Sequence, residues 1–211
     1  MTRTIPLQSF GSLRVRTPLC FPGQRVGVMG GSFNPPHDGH RIAAEAAMRR
    51  LGLDQVWWLI TPGNPLKSHD GLSSLDGRMK LVEVFARGPR MKITGFEREL
   101  GTRYTAGTLS FLKQRYPNVR FVWIMGADNL ATFHRWQHWR SIAAMMPVAV
   151  VDRPGFRHAG LASPAALSLK RYRLPESEAR ALADKKPPAW MLLTIKLSGL
   201  SSTALRIAAP P

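Results

Sequence analysis

The stretch Arg25-Val26-Gly27-Val28-Met29-Gly30-Gly31-Ser32-Phe33-Asn34-Pro35-Pro36-His37-Asp38-Gly39-His40 decides how the rest of the chain is read. From Arg25 to Met29 it is a short Val-rich run without polar alternation, which suits a buried parallel strand. The run stops at Gly30-Gly31, where a backbone free of side chains can turn tightly and let a ligand come close to main-chain N–H groups. From Gly39 to Leu51 the pattern is helical: Ile42, Ala43, Ala46, Ala47 and Leu51 fall near three- and four-residue spacing, and Gly52 can end the segment. A helix start offers unpaired N–H groups and the positive end of a dipole, both suited to phosphate. His37 and His40 stand across that start, so both imidazoles can donate to the same anion. Other readings stand beside this one. The glycine pair also fits an ordinary turn, and Asp38 fits a helix cap. Two His with an intervening Asp also resemble part of a metal set, but no Cys or third close His completes it.

Outward from this stretch the chain alternates. A second strand is predicted over Gln55 to Thr61, stopping at Pro62-Gly63, and a helix over Leu75 to Ala86 with Ser73-Ser74 as its cap. Met91 to Thr94, Arg120 to Met125, Val148 to Val151 and Met191 to Ile195 read as further strands. Ala106 to Tyr116 reads as a helix, and a last helix begins near Ser202. Strand–helix–strand alternation implies parallel pairing with right-handed crossovers, hence a layered α/β sheet. Ligands in such sheets bind at the carboxyl ends of the strands, near a topological switch point. The segments after Met29, Thr61, Thr94, Met125 and Ile195 are therefore expected to hold the site. Residues 1–24, with Pro6, Gly11, Pro18, Pro22 and Gly23, read as an irregular basic arm, and residues 25–211 as one domain.

Composition sets outer bounds. The 211 residues carry 30 Lys+Arg against 13 Asp+Glu, a net charge of +17, which asks for an anionic partner: nucleic acid, a membrane surface or phosphorylated small molecules. A single cysteine, Cys20, excludes an internal disulfide framework and a cysteine-built zinc site, and points to a reducing compartment. The longest apolar run, Ile142 to Val151, is interrupted by Pro147 and falls far below the roughly 20 residues of a spanning helix. The first 25 residues have no continuous apolar stretch, so no secretory signal is expected; a transit-like reading of the arm is the weaker alternative.

The segment from Gly30 to His40 resembles the G-[ST]-F-D-P-x-H-x-G-H signature of the nucleotidylyltransferase superfamily, departing at Asn34 where Asp is usual. Leu200-Ser201-Ser202-Thr203-Ala204-Leu205-Arg206 is similar to its I-S-S-T-x-I-R element. Hydroxyls and N–H groups at a helix start, with a guanidinium one turn inside, can grip a polyphosphate from a second side, although Ser-Ser-Thr alone is also a common cap. Between the two, Arg103-Tyr104-Thr105 through Leu109, Gly126-Ala127-Asp128 through Trp136, Thr61 through Lys67, and Val151-Asp152-Arg153-Pro154-Gly155-Phe156 resemble stretches of the bacterial nicotinate mononucleotide adenylyltransferases. The resemblance runs from about residue 25 to 207. Relatives usually continue past the Ser-Ser-Thr helix, whereas this chain stops at Pro211.

That resemblance implies a Rossmann-like open parallel sheet with helices on both faces and a single domain. It also implies adenylyl transfer from ATP to nicotinate mononucleotide, giving deamido-NAD and pyrophosphate, a step of NAD biosynthesis in the cytoplasm. Gly30, Gly31, Ser32, Phe33, His37, Gly39, His40, Asp128, Ser202, Thr203 and Arg206 would bind ATP, with His37, His40, Lys67 and Arg206 acting on its phosphates. Lys67, Thr105, Trp136, Gln137 and Arg153 would bind the mononucleotide, Trp136 by stacking on the pyridine ring. Mg²⁺ is expected on the ATP phosphates, with no metal site of the protein's own. The partners implied are small nucleotides rather than nucleic acid or membrane, with homo-oligomerisation left open. Two alternatives remain: another phosphorylated acceptor, such as nicotinamide mononucleotide or phosphopantetheine, and a basic nucleic-acid-binding protein. Against the latter, the Trp residues are not interleaved with basic runs as a stacking platform would be, and residues 170–186 read as a solvated charged face.

Overall fold

The apolar runs become six strands: β1 (Arg25–Gly31), β2 (Gln55–Ile60), β3 (Met91–Thr94), β4 (Arg120–Gly126), β5 (Val148–Val151) and β6 (Trp190–Leu193). The structure is a computed structural model and describes residues 14–63, 72–102 and 104–195. All neighbouring strands pair in parallel, in the order β3-β2-β1-β4-β5-β6. β1 lies between β2 and β4, with Gly30 opposite Leu59 and Met29 opposite Ile124. The chain turns towards β2 after β1 and towards β5 after β4, so the connections diverge there and open a crevice at the carboxyl ends of the two strands.

The helices are α1 (Asp38–Leu51), α2 (Leu75–Glu83), α3 (Glu97–Leu100), α4 (Thr105–Arg115), α5 (Ala127–Thr132), α6 (Trp139–Met145), α7 (Arg157–Leu161) and α8 (Pro164–Ser168). Tighter 3₁₀ turns cover Phe133–Arg135, Lys170–Tyr172 and Glu176–Asp184. Side chains alternate across the sheet and feed two cores. One gathers Val28, Trp57, Leu59, Phe121, Trp123 and Val150 beneath Leu109 and Leu112 of α4 and Ile142 of α6. The other gathers Val56, Trp58, Ile60, Val122, Ile124 and Ala149 beneath Ala44, Ala47 and Leu51 of α1, Val82 of α2 and Leu182. Burial on both faces is why these strands read as unbroken apolar runs.

β1 is bare by comparison. A Cβ on Gly27 would lie 2.6 Å from Ile124 Cδ1 and 2.7 Å from Leu53 Cδ1, and one on Gly30 would run into the Trp123 indole. Neighbouring side chains fill the space that β1 leaves.

The expected strands match to within two residues at their ends. α1 starts at Asp38, and Gly52 ends it in the left-handed conformation (φ 63°), its N–H donating to the Met48 carbonyl. α2 is capped by Ser74, whose Oγ accepts from Gly77 N at 3.1 Å, but it ends at Glu83 and continues only as turns. Residues 14–24 have no helix or strand, yet they lie against the domain. Val15 is buried, the Thr17 hydroxyl bonds the Tyr116 hydroxyl, and Gly23 N donates to Asn118 O at 2.7 Å. The helix expected from Ser202 lies outside the described residues.

Candidate active site

The loop after β1 is built around Phe33. Its backbone sits in the left-handed region (φ 46°), which costs a non-glycine residue roughly 1–2 kcal/mol. Packing holds it there: the buried ring lies 4.9 Å from the His40 ring, nearly edge-on at 70°, and 5.3 Å from Trp58. His37 is extended and enters α1, so His40 falls in that helix's first turn beside it. The two imidazoles are 3.8 Å apart between centroids and inclined at 31°. His40 N donates to His37 O at 2.9 Å, and His37 N donates to His40 Nδ1 at 3.3 Å. With Nδ1 accepting, a neutral His40 carries its proton on Nε2.

His37 is 4% exposed, and neither ring nitrogen has a partner among the described residues. Burial, reinforced by the charge of Arg153, pulls its pKa down to about 4, so the ring is neutral at pH 7. A buried polar group left unpaired costs about 1–3 kcal/mol. A ligand oxygen that accepts from this ring would remove that cost.

Asp128, in the first turn of α5 after β4, supplies the opposite wall. Its Oδ2 accepts from Arg153 Nη1 at 2.6 Å, while Oδ1 has no partner among the described residues. A Cβ on Gly126 would collide with Asp128 Oδ1, so glycine is what lets this carboxylate fold back. Arg153, after β5, donates its N–H to Asp152 Oδ1 at 2.9 Å, and Asp152 Oδ2 accepts from Arg157 Nη1 of α7 at 2.8 Å. Arg153 and Asp128 bias the His37 ionisation in opposite senses, so these charges converge on the histidine pair.

Of the two tryptophans that follow α5, Trp139 is core, 8% exposed, whereas Trp136 is half-buried and meets Phe133 edge-on at 5.4 Å. Gln137 follows it, exposed. Thr105 is the first residue of α4, behind an exposed Tyr104. Asn34 is buried. The structure thus gathers Gly30 and Gly31 at the end of β1 with Ser32, Phe33, His37, Gly39 and His40 after it, and faces them with Asp128 and Arg153. Lys67, Ser202, Thr203 and Arg206 lie outside the described residues.

Two buried ionisable groups escape a reading of the sequence. Arg78, on α2, is 1% exposed and, among the described residues, donates to carbonyls, those of Ser32, Thr61, Pro62 and Ser73. Its one signal is position: it stands a helical turn from buried Val82. Glu97, on α3, accepts from the Thr108 hydroxyl at 2.5 Å, and burial pushes its carboxyl up to about 7. Among the described residues no cluster of three His, Cys, Asp or Glu side chains assembles, and no helix is long and apolar enough to cross a membrane.

A parallel sheet in this order, with a glycine–histidine loop at its switch point, defines a nucleotide-binding α/β protein of the Rossmann type. Residues 28–208 match the family model described as cytidylyltransferase-like. The chain is 56% identical over 183 residues to the probable nicotinate-nucleotide adenylyltransferase of Rhizobium meliloti, covering 87% of this chain and 97% of that one. It is 55% identical over 181 residues to the protein of that name from Agrobacterium fabrum, covering 86% and 97%. The structure of the Plasmodium falciparum nicotinic acid mononucleotide adenylyltransferase complexed with NaAD superposes with a TM-score of 0.66, over 87% of this chain and 83% of that one. At 19% identity that likeness concerns the fold alone. The chain belongs to the cytidylyltransferase-like family and, within it, to the nicotinate-nucleotide adenylyltransferases.

Proposed function

We propose that this chain transfers the adenylyl group of ATP to nicotinate mononucleotide, releasing pyrophosphate and forming deamido-NAD. The observation that carries the reading is the imidazole pair at the switch point, in a chain more than half identical to named nicotinate-nucleotide adenylyltransferases. An oxygen of the mononucleotide phosphate bonds to the α-phosphorus as the bond to the bridging oxygen breaks, and pyrophosphate leaves with the electron pair. The nucleophile is already ionised at neutral pH, so no group of the chain has to take its proton. Catalysis then rests on alignment and on donors aimed at the charge developing around phosphorus.

His40 Nε2–H serves the α-phosphate, and neutral His37 supports it from the buried side. Lys67, Ser202, Thr203 and Arg206 hold the remaining phosphates, and Gly30, Gly31, Ser32, Phe33 and Gly39 line the nucleotide's approach. Asp128 takes a ribose hydroxyl. Trp136 stacks on the pyridine ring, while Thr105 at the start of α4 and the backbone at Gln137 meet the nicotinate carboxylate. Arg153 faces the mononucleotide phosphate.

Mg²⁺ supplies charge neutralisation on the triphosphate. The nearby carboxylates are already engaged: Asp38 by Arg41 at 3.0 Å, Asp128 by Arg153 at 2.6 Å and Asp152 by Arg157 at 2.8 Å. That donor set fits an ion held by phosphate oxygens and water rather than by a protein cage. Soluble nucleotide substrates and a single free cysteine suit the cytoplasm.

The test is pyrophosphate release from ATP with nicotinate mononucleotide, nicotinamide mononucleotide and phosphopantetheine as competing acceptors. Deamido-NAD should form with the highest kcat/KM; a higher value for another acceptor, or no turnover, would overturn the assignment.

A further inference from the structure

Arg78 is a cation buried beneath the crevice and, among the described residues, held by main-chain oxygens. Its Nη1 donates to Ser32 O and to Thr61 O, both at 2.8 Å, its Nη2 to Pro62 O at 3.4 Å, and its Nε to Ser73 O at 2.9 Å. One guanidinium therefore joins the loop after β1, the loop after β2 and the residues leading into α2. No ion pair to a carboxylate reaches it among the described residues. Removing a full charge from water is expensive, and among the described residues carbonyl dipoles are what offsets the cost. An apolar side chain would fill the same space without that cost, so packing alone does not account for an arginine.

The bonds also aim the loops. A peptide unit is planar, with C=O and N–H pointing opposite ways. Turning the Ser32 and Pro62 carbonyls towards Arg78 therefore turns the Phe33 and Gly63 N–H groups away from it. The first of these loops carries His37 and His40, and the second leads in sequence to Lys67. A lysine could not copy the arrangement, because its single ammonium lacks the planar fork that spans the separate acceptors.

We propose that Arg78 is a positioning residue of the nucleotide site: its guanidinium ties the β1 and β2 loops into one unit, so that donors from both close on the same triphosphate. This rests on the adenylyl-transfer reading. The role is indirect, because Arg78 acts through the two loops rather than by touching the reacting atoms.

The experiment compares wild-type, Arg78→Lys and Arg78→Gln enzymes by steady-state kinetics, with ATP binding measured separately by calorimetry and folding checked by circular dichroism. Wild-type turnover comes first, and its absence would fell the adenylyl-transfer reading on its own. Given that turnover, a folded Arg78→Lys enzyme should show the KM and Kd for ATP raised by about tenfold or more and kcat lowered, with the KM for the mononucleotide changed by less than about threefold. ATP binding equal to wild type, or an equal loss for both substrates, would overturn the proposal. Hydrogen exchange on the wild-type protein tests it without relying on a variant that folds. Adding ATP should protect residues 31–36 and 61–63 together, over the same concentration range. Protection of one loop without the other would overturn the tie.

Discussion

On the β1–β2 side of the crevice, Arg78 is satisfied by carbonyls and keeps its whole charge, whereas on the β4–β5 side Asp128 is matched by Arg153 and Asp152 by Arg157. The first arrangement leaves fixed positive potential under a loop that already carries two imidazoles. The second is nearly neutral until something disturbs it. A triphosphate suits the first side, where no carboxylate is paired to Arg78 among the described residues. On the second side a hydroxyl can still donate to Asp128 Oδ1, which has no partner among the described residues, but an anion that draws on Arg153 competes with a charge-assisted hydrogen bond of the order of 1.5–3 kcal/mol. The difference teaches that one wall is preformed and the other works by exchange.

The largest expected effect tests the preformed wall. His40→Ala should lower kcat/KM by about 10² to 10³-fold, the loss typical of one donor aimed at developing charge, with the fold retained. Near-wild-type turnover would remove the histidine loop from the chemistry and the comparison with it.

Stability against pH is next, and the two buried ionisable groups pull in opposite directions. His37 titrates near 4 in the folded chain and near 6.5 when unfolded, so the unfolded chain takes up its proton first. Stability should fall as pH drops from 6.5 towards 4, and His37→Gln should flatten that slope. Glu97 titrates near 7 in the folded chain, against 4.5 ordinarily. Its contribution is present below 4.5 and is lost as pH rises to 7, so Glu97→Gln should be the more stable protein at pH 8. Each effect has a ceiling of about 3 kcal/mol. Urea denaturation across pH reads both, and slopes of the same sign would contradict the structure.

The exchange wall is sharpened by a double-mutant cycle. Arg153→Met leaves Asp128 without its ion-pair partner and should cost about 1–3 kcal/mol of stability, most of it recovered when Asp128→Asn is added. Additive losses would mean that the pair is not formed in solution. The smallest effect belongs to Trp136→Ala, which should raise the KM for the mononucleotide by a few-fold to roughly tenfold while sparing that for ATP, consistent with about 0.5–1.5 kcal/mol for one aromatic contact. A change confined to ATP would place Trp136 on the other wall.

Most of the sheet was legible because its inner strands are buried on both faces and show as apolar runs, as in Val26–Met29 and Phe121–Met125. α1 and α4 were legible too, because more than two turns give their periodicity room to appear. α3, α5, α7 and α8 are shorter than two turns, and tertiary packing rather than pattern makes them helical. Within the site, the glycines, histidines, Asp128 and Arg153 stand in continuous motifs next to strand ends. Arg78 and Glu97 do not. An arginine in a nine-residue helix looks solvated until the carbonyls of two distant loops are known to converge on it. Glu97 looks like any acid in a charged stretch until Thr108 closes over it. Depth is hidden in the same way for Trp136 and Trp139, which stand three residues apart, one half-buried and one in the core.

The bareness of β1 has a consequence for how this chain tolerates change. In most cores the large side chains are the intolerant positions, because truncating them leaves holes. Here Gly27 and Gly30 already have Ile124, Leu53 and Trp123 pressed against their backbone, and even a methyl group would force those side chains to shift. A library varying every residue of the central strand should find Gly27 and Gly30 restricted alongside the fully buried Val26 and Val28, the glycines for want of room and the valines because trimming leaves holes. The strand that carries the histidine loop is thus held in place by what its neighbours, rather than its own side chains, contribute.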